Sequence, residues 1–190
     1  MSSSESLFEH GRKAQAERDA PLAERMRPST FDEFVGQDQI VDPDRVLLRS
    51  IAAGRLPSII LWGPPGTGKT TLARLLASST QSDFQPVSAV TSGVADLRRI
   101  VAEAKDRKGM HQQSTILFVD EIHRFNKAQQ DVILPHVEDG TITFIGATTE
   151  NPSFEVIAPL LSRCRVFALQ SLEPAQMASI VNRALADHMR

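Results

Sequence analysis

Residues 63 to 70 read Gly63-Pro64-Pro65-Gly66-Thr67-Gly68-Lys69-Thr70, between the apolar run Ser58-Ile59-Ile60-Leu61-Trp62 and the amphipathic run Thr71-Leu72-Ala73-Arg74-Leu75-Leu76-Ala77. This octapeptide constrains the fold more than any other feature, because its spacing is that of a phosphate-binding loop between a strand and a helix. Its glycines let successive backbone N–H groups turn inward, where they and the helix N-terminus can hold a polyphosphate. Lys69 then reaches the β and γ phosphates and Thr70 is placed to ligate Mg²⁺. A plain Gly/Pro connection would explain the turn but not the Gly-Lys-Thr ending, so a nucleoside triphosphate site is expected.

At 190 residues the chain has room for one α/β domain with a full core and a short piece of a second. A net charge of −2 supplies no global basic field, so contact with nucleic acid requires a local patch. One cysteine, Cys164, excludes an internal disulfide, and no apolar run approaches the ~20 residues of a membrane span. The first residues lack the pattern of a signal peptide, which points to a soluble, cytoplasmic protein of a reducing compartment.

Residues 1–21 are polar and Ser-rich and read as a flexible tail, in which Leu7-Phe8 is either a docking pair or incidental. A helix is expected from Asp44 to Ala53, ended by Gly54. Apolar strands are expected at 59–62, 84–90, 115–119, 142–147 and 165–169, with helices at about 70–79, 94–107 and 126–138. Such alternation predicts a mostly parallel five-stranded sheet between helical layers. A last helix, Pro174 to about Arg190, carries an apolar stripe at Met177, Ile180, Val181, Ala184 and Leu185. The expected divisions are the tail, an α/β nucleotide-binding core over 22–170 and a further helical piece over 171–190.

Thr115-Ile116-Leu117-Phe118-Val119 delivers Asp120-Glu121 to the sheet edge where open α/β folds bind ligands. Asp120 suits Mg²⁺, and Glu121 suits orientation and activation of the water that attacks a γ-phosphate. The competing reading has Asp120 capping a helix and Glu121 favouring its dipole. The next apolar strand ends in Thr148-Thr149-Glu150-Asn151, where a hydroxyl or amide can bond that water or the phosphate. Thr149 is favoured, with Thr148 and Asn151 as alternates and ordinary strand threonines as the bland reading. Arg163, before the last strand, is either a cation for a neighbouring subunit's γ-phosphate or a surface ion pair. His10, His111, His123, His136 and His188 show no metal-ligand spacing, so no zinc is assigned. Arg98, Arg99, Lys105, Arg107 and Lys108, interleaved with acids, read as a solvated helix face, with DNA contact the lesser alternative.

Taken in order, Arg27-Pro28, Val35-Gly36-Gln37, the loop at 63–70 with Thr71, Phe118-Val119-Asp120-Glu121, Gly146-Ala147-Thr148-Thr149 and Ser162-Arg163-Cys164 resemble the AAA+ ATPases of the clamp-loader and branch-migration group. Within it, Asp120-Glu121-Ile122-His123-Arg124-Phe125-Asn126-Lys127-Ala128-Gln129-Gln130-Asp131 and Glu150-Asn151-Pro152-Ser153-Phe154-Glu155 resemble the replication-associated recombination protein A family. The likeness implies a P-loop three-layer αβα domain of sheet order 5-1-4-3-2, followed by the first helix of a lid. It also implies ATP and Mg²⁺ as cofactors, an adenine pocket near Val35 and Gly36, Thr149 as a sensor, and Arg163 as a finger acting across a subunit interface. Self-association, single-stranded or forked DNA, single-strand-binding protein and the sliding clamp are the partners it suggests. A bacterial-type member is expected, since the eukaryotic relatives' N-terminal zinc finger needs cysteines absent here. Family members continue through a lid with a second sensor Arg and an oligomerisation domain, whereas this chain ends one helix into the lid. Three functions stay open: a hydrolysing fork-maintenance ATPase core, a nucleotide-dependent interaction module without efficient turnover, and a branch-migration motor.

Overall fold

A computed structural model of the chain describes residues 21–42 and 45–188. The tail over 1–20, Asp44 and Arg190 therefore lie outside the described residues, as do Leu7, Phe8 and His10. Strands β1 (Ile59–Trp62), β2 (Asp83–Ser88), β3 (Thr115–Asp120), β4 (Thr143–Thr148) and β5 (Arg165–Ala168) form one sheet in the order β2-β3-β4-β1-β5. That is the expected 5-1-4-3-2 order read from the other edge. All four neighbouring pairs are parallel.

The apolar runs that predicted the inner strands are continuous because both faces of those strands are covered by helices. Ile59, Ile60, Leu61, Ile116, Leu117, Val119, Phe144 and Ile145 are each 0% exposed. The edge strands are less apolar, and Pro86 sits in edge strand β2, where a missing N–H is tolerated. The principal helices are α1 (Val46–Ala52), α2 (Lys69–Ser79), α3 (Val94–His111), α4 (Lys127–Glu138), α5 (Pro152–Glu155), α6 (Ala158–Leu161) and α7 (Pro174–His188). Helices α3 and α4 pack over β3 and β4, burying Leu97, Ile100, Ile133 and Phe144 in one apolar cluster.

Several boundaries shift by a residue or more from expectation, and three of the shifts have a visible local cause. Strand β2 ends at Ser88, opposite Asp120, because the chain turns there: Ser92 N donates to the Ser88 carbonyl at 3.0 Å. Helix α3 runs through Gly109 to His111 and stops where Gln112 takes a left-handed conformation, φ 52°. One glycine costs a helix only about 1 kcal/mol, too little to end one of 18 residues. Helix α4 begins at Lys127, since Asn126 is its cap: Asn126 Oδ1 accepts from Gln129 N at 2.9 Å and Gln129 Oε1 accepts from Asn126 N at 2.8 Å.

The described residues fall into two compact units. The larger, Gly36–Leu172, contains the whole sheet. In the smaller, which joins the described residues up to Val35 with those from Glu173, Arg183 of α7 donates to the carbonyls of Glu33 and Met26 at 2.9 and 3.1 Å. Hydrogen bonds from Ser29 hold the Glu33 carboxyl below its usual range. Of the expected α7 stripe, Met177, Val181 and Leu185 are exposed and Ile180 and Ala184 half-buried. No described helix is long and apolar enough to cross a membrane.

Candidate functional site

The parallel sheet brings the C-terminal ends of β1, β3, β4 and β5 to one edge, where the loop at 63–70, Asp120, Glu121 and Thr149 follow them, whereas Arg163 precedes β5 at the opposite edge. The chain leaves β1 at Gly63, whose N–H donates to the Thr148 carbonyl at 3.1 Å. A Cβ at this position would collide with the Leu169 carbonyl, so only glycine lets the loop pass the end of β5. Gly68, at φ 92°, supplies the left-handed step into α2. Between them Thr67, 2% exposed, donates from Oγ1 to the Pro64 carbonyl at 2.9 Å and braces the loop from inside.

Lys69 opens α2 and folds its ammonium back across the loop, donating to the carbonyls of Gly63 at 2.7 Å and Pro64 at 2.8 Å. Burial pushes its pKa below the ordinary 10.5, and the nearby Asp120 carboxylate pulls the other way. Thr70 and Thr71 follow, half-buried, in a first helical turn with no acidic residue. The helix's own first turn thus sets no acidic side chain against its positive end. This donor set fits an anionic polyphosphate, and Thr70 and Asp120 carry oxygens of the hard type that a magnesium ion takes.

Asp120 ends β3 exposed, its Oδ1 accepting from Glu121 N at 3.1 Å. Glu121 adopts φ 54° and ψ 50°, a left-handed conformation that costs a residue with a side chain of order 1 kcal/mol. A 3₁₀ turn, Ile122–Arg124, follows, and Arg124 Nε pairs with Glu121 Oε2 at 2.8 Å. Asp120 caps no helix here, because α4 starts later and is capped by Asn126.

The three candidates after β4 have different surroundings. Thr149 is exposed and lines a cleft of about 350 Å³ with Trp62, Gly63, Pro64, Pro65, Ala168 and Leu169. Thr148, 1% exposed, faces the interior, its Oγ1 accepting from Glu150 N at 2.9 Å and lying 3.1 Å from His123 Nδ1. Asn151 caps α5, accepting from Ser153 N at 3.0 Å. Arg163 is not among the cleft-lining residues. Its Nε pairs with Glu138 at the end of α4, and its Nη1 donates to the Pro159 carbonyl and Ser162 Oγ, both at 2.9 Å.

Gly36 is buried in the larger unit and Val35 half-buried in the smaller. On the basic helix, Arg99 pairs with Glu103 at 2.8 Å, Arg107 with Asp83 at 2.8 Å, and Lys108 donates to the Gly140 carbonyl at 2.7 Å. These three cations are engaged within the fold.

Sequence reasoning overlooked Gln37. Its side chain joins the loop to the exit of β5, donating to the Gln170 carbonyl at 2.7 Å and the Thr67 carbonyl at 3.3 Å and accepting from Gln170 N at 2.9 Å. His123 and Glu138 were likewise unassigned. The only local signal was a polar residue beside a motif, and their partners lie far away in the chain.

Comparison with known proteins follows the same lines. Residues 26–157 match the family described as the Holliday junction DNA helicase RuvB P-loop domain. The chain is 55% identical over 170 residues to replication-associated recombination protein A of Coxiella burnetii and 52% identical over 170 residues to that of Escherichia coli K12. In each case the match takes 90% of this chain and 38% of the relative, so the chain spans well under half the length of these curated proteins. Among solved structures, the RuvB Holliday junction branch migration motor of Thermotoga maritima superposes with a TM-score of 0.71 at 31% identity, covering 86% of this chain and 55% of that one.

Proposed function

The chain belongs to the RuvB P-loop domain family and, within it, to the replication-associated recombination protein A branch of AAA+ ATPase cores, and from that premise we propose that it binds and hydrolyses ATP with Mg²⁺. The carrying observation is the Lys69 ammonium folded across the loop onto the Gly63 and Pro64 carbonyls, with the Asp120 carboxylate near enough to act on it, beside a cleft lined by both the loop and Thr149. In the proposal residues 22–170 are the ATPase core and 171–190 begin a lid.

Loop amides and Lys69 bind the β and γ phosphates, and Val35 and Gly36 contribute to the adenine side. Thr70 and Asp120 would hold magnesium, which neutralises charge building on the phosphates. Glu121 accepts a proton from the attacking water, and the Thr149 hydroxyl orients that water against the γ-phosphate. Arg163 stabilises the same charge in a neighbouring protomer, an effect worth about 10³ or more in rate where such fingers act. By resemblance, the oligomer works on single-stranded or forked DNA during replication-associated recombination and repair, alongside single-strand-binding protein or the sliding clamp. The 55% identity to the recombination proteins, against 31% to the branch-migration motor, supports the fork over the junction.

Phosphate release and ATP binding by the 190-residue chain test the chemistry. Lys69→Ala abolishes binding, and Glu121→Gln binds ATP but stops turnover. Steady release unaffected by Glu121→Gln refutes the assignment of the base. A second reading, binding without efficient turnover, is favoured by the pairing of Glu121 with Arg124. It requires tight ATP binding with negligible release from the unsubstituted chain.

A further inference from the structure

The hydrogen bond between His123 and Thr148 joins the two segments to which the chemistry is assigned. His123 lies in the middle of the 3₁₀ turn that follows Asp120-Glu121, and Thr148 immediately precedes Thr149. The two are 25 positions apart in sequence, and Nδ1 and Oγ1 lie 3.1 Å apart. On the turn's other side Ile122 is fully buried, so near Gly146 of β4 that a Cβ on that glycine would stand 3.5 Å from Ile122 Cγ2. One neighbour is an apolar anchor with little orientational preference; the other is a directional bond.

We propose that His123 is a positioning residue for ATP hydrolysis, whose bond to Thr148 makes the segments carrying Glu121 and Thr149 adopt their working geometry together. The inference rests on the roles proposed above for Glu121 and Thr149. Its physical basis is the left-handed Glu121, a conformation kept only where the surroundings over-determine it. The bonds following it, Arg124 N to the Glu121 carbonyl at 2.8 Å and Phe125 N to the Ile122 carbonyl at 2.9 Å, are local and travel with the turn. The His123–Thr148 bond ties the turn to another strand. On the far side, Thr148 Oγ1 accepts from Glu150 N at 2.9 Å, so the same hydroxyl orients the backbone on both flanks of Thr149. Thr148 Oγ1 can donate to a neutral imidazole or accept from a charged one, because its proton has a second acceptor in the Glu150 carbonyl at 3.3 Å. The tie therefore persists in either protonation state of His123.

Kinetics with His123→Ala, His123→Gln, His123→Asn and Thr148→Val test the tie. Asparagine can put a polar atom where Nδ1 stands, and glutamine reaches past it. His123→Ala, His123→Gln and Thr148→Val each lower kcat about tenfold, the loss of roughly one net hydrogen bond, with the ATP dissociation constant within about twofold of the parent. His123→Asn retains activity within about threefold of the parent, and His123→Ala/Thr148→Val together fall no further than the worse single variant. Losses that multiply in the double variant, or a change in ATP affinity with kcat untouched, overturn the proposal.

Amide hydrogen exchange supplies a readout that needs no turnover. His123→Ala accelerates exchange at Glu150, whose acceptor the substitution leaves in place, and Thr148→Val accelerates it at Arg124 and Phe125. Acceleration confined to the substituted residue's own segment also overturns the proposal. If hydrolysis survives Glu121→Gln, the assignment of the base fails, and the reciprocal exchange pattern still decides whether the two segments are tied.

Discussion

Removing the Gln37 amide takes a bridge from beneath the phosphate-binding loop and leaves every loop residue intact. Gln37 is 5% exposed and at φ 64°, and its side chain makes a two-way connection with the Gln170 backbone at 2.7 and 2.9 Å, plus a longer bond to the Thr67 carbonyl at 3.3 Å. Neutral hydrogen bonds contribute about 1 kcal/mol net each, and a 3.3 Å contact less. Alanine at the same positive φ neither relieves nor adds much backbone strain. Gln37→Ala is thus expected to cost about 2–3 kcal/mol, or a Tm decrease of roughly 4–12 °C in a chain of this size. Urea unfolding followed by the fluorescence of the single tryptophan, Trp62, reports directly on the larger unit, because Trp62 ends β1 at the cleft. The midpoint moves and the slope stays constant. Gln39→Ala is the control: its exposed amide makes one bond, 3.1 Å, to Gln37 Oε1, and its loss costs under about 1 kcal/mol. Equal midpoints for the two variants would show that the bridge carries no energy and that the loop is held by its own turns.

Arg163→Ala leaves ATP binding intact, and its hydrolysis per molecule stays flat with protein concentration where the parent's rises; a rising rate in the variant removes the trans role. Burial pushes the Cys164 thiol up to about 12, so iodoacetamide at pH 8 alkylates the native chain slowly and the urea-unfolded chain promptly. Labelling of the folded protein at the rate of free cysteine contradicts that. Hydrogen bonds from the Thr141 side chain and then from its backbone N, at 2.8 Å, hold the Asp139 carboxyl below the ordinary 3.8. A depressed carboxylate stabilises the fold above its unfolded pKa and loses that contribution as pH falls through the folded one. The urea midpoint therefore drops below about pH 4, and less steeply in Asp139→Asn.

The sheet was legible where burial leaves no alternative. Ile59–Trp62, Thr115–Val119 and the run to Thr148 need cover on both faces, which confines them to the middle of a parallel sheet. The place of β5 beside β1 is not encoded in its own residues, since Arg165 and Val166 are exposed as on any edge strand; that order came from family likeness. Among Thr148, Thr149 and Asn151 the residues alone express only a preference. One step in register separates an interior hydroxyl from one on the cleft, and that step depends on where β4 stops. Gln37, His123 and Glu138 were illegible for a different reason. Each bonds to a residue at least 25 positions away or to the end of another element, and polar residues with non-local partners leave no periodic trace.

The Glu121–Arg124 pair decides between the hydrolysing and the binding-only readings, and its magnitude argues for the former. Both side chains are about half exposed, 48% and 54%, and an ion pair so open to water contributes between nothing and about 1 kcal/mol. Holding the base away from water by that pair could slow turnover by no more than about fivefold, the rate equivalent of 1 kcal/mol. Arg124→Ala is therefore expected to change kcat less than about fivefold in either direction. A gain above tenfold would mean that Arg124 sequesters Glu121 far more tightly than an exposed pair can, and the binding-only reading would then describe the unsubstituted chain. Lys69 differs because its present partners are neutral carbonyls in a partly buried loop. Exchanging them for phosphate oxygens replaces neutral acceptors with charged ones, roughly doubling the strength of each bond and offsetting the desolvation that lowers its pKa. Nucleotide binding thus draws on a large electrostatic difference at Lys69, whereas releasing Glu121 costs little. On the proposed assignment, a chain with these two energies is expected to bind ATP without immobilising Glu121.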